Sequence, residues 1–139
     1  MLIPNKLSSL AKALLGISAL LSLSVQAANE AETAFSNELI ECAAYYQISS
    51  EAIAAMNAPQ MQAVGERLKA SAADAVALAS QYRPAAVVTQ AVADAKAKQI
   101  QTLAGSSSLA SLMGQYKDRC KTVLGNPEKR LDYWSMATM

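Results

Sequence analysis

Residues 109–124 read LASLMGQYKDRCKTVL. Leu109, Leu112, Met113, Tyr116, Cys120, Val123 and Leu124 recur in this stretch at the i, i+3, i+4, i+7 positions of one helix face. The spacing predicts an amphipathic helix. Gly125-Asn126-Pro127 stops it, and the run from Gly105 through Ser106, Ser107 and Ser108 before it reads as a C-cap, a loop and a new N-cap.

Three further segments carry the same period upstream. Asn29 is a good N-cap, with Glu32 three residues on to answer the cap and the helix dipole. Phe35, Leu39, Cys42 and Tyr46 then share a face, and Ser49-Ser50 marks a bend or restart before Ile53 and Met56. Asn57-Ala58-Pro59 closes that segment and opens the next, since proline fits the first turn of a helix. Met61, Val64, Leu68, Ala72, Ala75, Leu78 and Tyr82 form the second stripe, read as one helix up to the break at Arg83-Pro84. Val88, Val92, Ala95, Gln99 and Leu103 form a narrower third stripe, backed by Asp94, Lys96 and Lys98, which suggests a peripheral helix.

Composition points the same way. Residues 70–79 contain six alanines, the best helix former because it loses no side-chain entropy. Strict alternation, β-branched runs and Asn-Gly turns are almost absent, which argues against a sheet. The expected class is all-α: an antiparallel four-helix bundle whose loops of two to six residues join antiparallel neighbours, with Leu131, Tyr133, Trp134 and Met136 in a short C-terminal helical tail.

The N-terminus decides where the protein works. Lys6 and Lys12 precede an apolar run, ALLGISALLSLSV at 13–25, and Val25-Gln26-Ala27 presents compact residues to a signal peptidase. A run of this length spans about 20 Å as a helix, against about 30 Å of bilayer core. We therefore expect 1–27 to be a secretory signal, cleaved before Ala28, and 28–139 to be a single helical domain without a membrane span. A lipoprotein signal would need a cysteine directly after the apolar run, whereas the first is Cys42, preceded by Glu41. The expected compartment is the periplasm or the exterior.

Two cysteines in an oxidising compartment suggest a disulfide, Cys42–Cys120. Both lie on the apolar stripes, and in an up-down-up-down bundle the first and fourth helices are adjacent. Closing so long a loop would stabilise the fold by about 4.5 kcal/mol in the chain-entropy model.

Few reactions can be built from these residues. The chain has no histidine, so neither a Ser-His-Asp nor a Cys-His arrangement can form. The cysteine spacing matches no zinc finger or ribbon, and the five glycines are isolated rather than gathered in a phosphate loop. No cofactor or metal is called for. Glu38 and Glu41 are expected on a solvated face, and Glu51 and Glu66 stand singly. Of Tyr45 and Tyr46, one is expected over the disulfide and the other at the rim. Lys117, Arg119, Lys121, Lys129 and Arg130 form a basic cluster that reads as cations near a helix C-terminus. Without Lys6 and Lys12, ten basic residues face eleven acidic ones, a balance that argues against nucleic acid as a partner.

Cys120 followed by Pro127 and Leu131, with the early Cys42 near aromatic residues, resembles the small periplasmic acid-stress chaperones. Those are helical, about as small and held by one disulfide, though the span between cysteines is longer here. The leading expectation is a non-enzymatic protein that binds another envelope protein, through its helical faces or through Tyr133, Trp134 and Met136 in the tail. The alternative is a chaperone or a carrier of hydrophobic ligands. A carrier needs a lined cavity, which an alanine-rich core disfavours.

Overall fold

The computed structural model describes residues 29–103 and 108–139. The expected signal, 1–27, and the Gly105–Ser107 cap and loop lie outside them. Five helices follow in order: α1 Glu30–Ala55, α2 Gln62–Ala79, α3 Ala85–Leu103, α4 Leu109–Gly125 and α5 Pro127–Ala137. A single 3₁₀ turn, Pro59–Met61, leads into α2. The class is all-α, with Cys42 and Cys120 bonded.

The caps follow from local chemistry. Asn29 Oδ1 accepts a hydrogen bond from the Glu32 N–H at 2.8 Å, which satisfies one of the donors a helix start leaves unpaired. Asn126 does the same for Lys129 N–H at 3.1 Å, with Pro127 in the first turn of α5. Ser108 holds the N-cap position of α4 without a side-chain bond. The chain leaves α1 through Asn57 at φ 49°, a left-handed conformation that asparagine tolerates better than most residues.

Ser49-Ser50 does not break α1. The helix runs unbroken, and Ser50 Oγ donates to the Gln47 carbonyl at 3.0 Å, so its hydroxyl is satisfied inside the helix.

α2 and α4 run antiparallel to α1, but the helices gather around α1 rather than forming a square. All four others pack against it. Phe35, Leu39, Ile40 and Ala43 meet Ala75 and Ala79 of α2, Val88 and Val92 of α3 and Val123 of α4. One turn or more along, Cys42, Tyr45, Tyr46 and Ile48 meet Ala72 of α2 and Leu112 and Cys120 of α4. A helix surrounded in this way is buried on nearly every side. Accordingly Ile40, Ala44, Tyr45 and Ile48 are buried as well as the single stripe expected from the sequence.

Alanine at 72, 75 and 79 lets α2 lie close along α1. Glycine serves the same purpose at the other end of the pair, where a Cβ on Gly65 would stand 3.2 Å from Ile53 Cγ2. Among the described residues no helix is long and apolar enough to cross a membrane.

Candidate functional site

Three features stand out: the disulfide, a buried carboxylate joined to the tail, and an apolar cleft. Cys42 and Cys120 have Cα atoms 5.5 Å apart, within the usual range for a bridge. They fasten α1 to α4 in the middle of the molecule.

Glu38 departs from the expectation of a solvated carboxylate pair. It is only 5% exposed. Arg130 of α5 grips it with two hydrogen bonds, Nε to Oε2 at 2.8 Å and Nη2 to Oε1 at 2.7 Å. The Trp134 indole N–H donates to the same Oε2 at 2.8 Å, and Arg119 Nε stands 3.8 Å from Oε1. A charge this deep needs partners of this kind, because the interior does not solvate it. Glu41, 48% exposed at its side chain, pairs with Arg119 Nη2. The two carboxylates are therefore docking points for α4 and α5. Glu38 holds the Arg130 guanidinium pKa above its ordinary value, chiefly by hydrogen bonding.

The basic cluster is accordingly not explained by the helix dipole. The last turn of α4 carries no basic residue, and Arg130 lies near the start of α5, where the dipole opposes a cation. Arg119 and Arg130 serve cross-helix pairing.

The tail residues separate. Trp134 is half-buried, turned onto Glu38 and packed against the core. Tyr133 is 47% exposed and lies beneath the Arg130 guanidinium, 4.3 Å from the ring centre. Met136 is 70% exposed.

Neither tyrosine of the 45–46 pair lies at an exposed rim. Both are buried beside the disulfide, with ring centres 5.0 Å apart, and Tyr116 of α4 stacks on Tyr45 at 5.7 Å. Burial pushes all three phenol pKa values up. For Tyr45, an interaction with the Ser49 hydroxyl offsets part of that push, and Asp118 adds to it.

On the outer side of these rings a cleft of about 470 Å³ opens between α1, α2 and α4. From α1 it is walled by Tyr45, Tyr46, Ser49, Ile53 and Met56. Met61, Val64 and Leu68 form the α2 side, and α4 contributes Leu109, Met113, Lys117 and Lys121. Its size falls in the range of small-molecule sites, about 300–1,000 Å³. The alanine-rich core does not preclude it, because the alanines stop short of it. Residues 70–79 lie along the closely packed half of α2, whereas the cleft lies beside the half that carries Met61, Val64 and Leu68.

The residues of α4 that reach the cleft, 109, 113, 117 and 121, form one row at intervals of four; the apolar period counts Leu109 and Met113 with the core stripe, whereas both line the cleft. Three methionines line the space, and such flexible, polarizable side chains suit a surface that adapts to its occupant. One wall is polar in an unusual way. Ser49 is 2% exposed, and its Oγ makes no hydrogen bond of good geometry.

Among the described residues no group of three or more cysteines or carboxylates is placed to hold a metal. Comparison with protein-family models, with curated proteins and with solved structures finds no match.

Proposed function

We propose that the chain is a non-enzymatic binding protein of the periplasm or the exterior, and that it holds an apolar ligand in the cleft between α1, α2 and α4. The observation that carries this reading is the cleft itself, a space walled by aliphatic and aromatic side chains on a scaffold that the disulfide and the Glu38 contacts fix in place. Export is supported by the signal-like pattern at 1–27 and by the disulfide, a bond that persists in oxidising compartments. N-terminal sequencing of the protein recovered from a secreting bacterium should begin at Ala28.

An apolar fluorescent dye tests the cleft. At neutral pH the dye should bind the folded protein at one site, and Val64→Trp, which fills the space, should abolish the signal. Dye binding that develops only as the protein loosens in acid would favour a chaperone instead.

A second reading keeps one observation in its support. Tyr133 and Met136 are exposed on α5, so another envelope protein could dock on the tail. Cross-linking in intact cells would then capture one stoichiometric partner, and Tyr133→Ala with Met136→Ala would release it.

A further inference from the structure

The cleft is polar at one end only. Helix α4 runs antiparallel to α1, with Cys120 bonded to Cys42, so Lys121 and Lys117 lie at the disulfide end. Leu109 lies at the other, with Ile53, Met56 and Met61. Both lysines are exposed, and their side chains appear in none of the ion pairs between described residues. Glu38 and Glu41 are engaged by Arg130 and Arg119. Asp118, beside Lys117 on α4 and near enough to Tyr45 to act on its phenol, leaves the two lysines in excess at this end by one charge. Ser49 adds a buried hydroxyl with no well-formed hydrogen bond, set in the wall between the two ends.

We infer that the occupant is a free long-chain carboxylate, its head group at Lys117 and Lys121 and its alkyl chain running past Ser49 toward Met56 and Met61. This inference rests on the cleft reading above. A single-chain anionic amphiphile matches the arrangement part for part. Its charge meets the two cations at the mouth, and its chain meets an apolar wall. An extended peptide fits less well, because its backbone amides would line an apolar wall with few groups to satisfy them. The lysine stems can lie along the apolar surface while their ammonium groups stay in water.

The test is calorimetric titration of the full chain, produced in a secreting bacterium and purified oxidised, with decanoate, decanol and decyltrimethylammonium. Decanoate should bind at one site, at least about tenfold tighter than the other two, with an affinity that falls as salt rises. Lengthening the carboxylate should tighten binding by roughly fourfold per methylene until the cleft is full. Lys117→Gln with Lys121→Gln, both at exposed positions, should remove the preference for decanoate over decanol and the salt dependence with it.

Equal binding of decanol and decanoate, indifferent to the lysine pair, would overturn the head-group assignment while leaving the cleft reading intact. Absence of binding by all three, or binding that Val64→Trp does not affect while helical circular dichroism is preserved, would overturn the cleft reading itself. A dimer in sedimentation that Val64→Trp dissociates would instead assign the cleft to a second copy of the chain. Capture of the protein by phosphatidylglycerol vesicles without decanoate binding would point to a membrane surface. Either result contradicts the proposal.

Discussion

At the scale of single residues, Glu38 is the one buried carboxylate among the described residues. Its carboxylate is buried and receives two hydrogen bonds from Arg130 and one from Trp134. Removing one member of such a pair strands the other. Glu38→Ala should therefore destabilise the fold by about 3 kcal/mol, toward the low end of the range for buried pairs because Arg130 keeps some solvent exposure. Glu38→Gln should cost less, since its side chain still accepts the indole N–H. Urea denaturation of both variants checks this, and equal stability of Glu38→Ala and wild type would refute it. The tyrosines set a pH dependence of definite sign. Burial raises the folded-state pKa values of Tyr45, Tyr46 and Tyr116 above the ordinary phenol value of about 10. The neutral phenol is then favoured by folding, so this contribution to stability is fully present below pH 10 and is lost as pH rises through the higher folded values. Melting temperature should fall above pH 10, with phenolate absorbance rising together with loss of helix. A titration in which every phenol ionises while the helical signal stays intact would count against it.

At the scale of elements, the helices were largely legible because each apolar stripe recurs at helical spacing and each break carries Pro, Gly or Asn. The stripe at 109–124 and the one at 35–46 placed both cysteines correctly without reference to each other. The disulfide joining them closes a loop with a sequence separation of 78. Cys42→Ser should lower the melting temperature by more than about 10 °C, given roughly 3 kcal/mol for the bond in a domain of this size. Reduced wild type should melt with the mutant, and coincidence of both with oxidised protein would contradict the claim. What periodicity missed was α1 as the centre. A stripe search assumes one buried face, and α1 has nearly none exposed between Cys42 and Ser50. The run CAAYYQISS at 42–50 carries no charge on any face, but longer uncharged runs at 52–65 and 99–116 keep it from standing out. Glu38 was misread for a related reason. Its partners, Arg130 and Trp134, lie more than ninety residues away, and no local pattern announces a pairing made only by tertiary packing. The cleft was hidden because its walls come from three helices and because Leu109 and Met113 fall in the apolar stripe that reads as core.

At the scale of the whole molecule, a single buried helix is clamped at two places. The disulfide ties it to α4, and Glu38 ties it to α5. α2 lies close along α1 through its alanines and Gly65, and the cleft opens beside its N-terminal half, where Val64 and Leu68 face Met113 and the lysines of α4. The methionines also provide the most direct test, because the fold places those of the described residues in two separate regions. Met56, Met61 and Met113 line the cleft, whereas Met136 and Met139 lie in or beyond α5. Methyl-labelled methionine can be followed by NMR while decanoate is added. Progressive, saturable shifts of the Met56, Met61 and Met113 methyls, with Met136 and Met139 unmoved, are the predicted result. Shifts confined to Met136 and Met139, or no shift at any methyl, would contradict the cleft as the binding site.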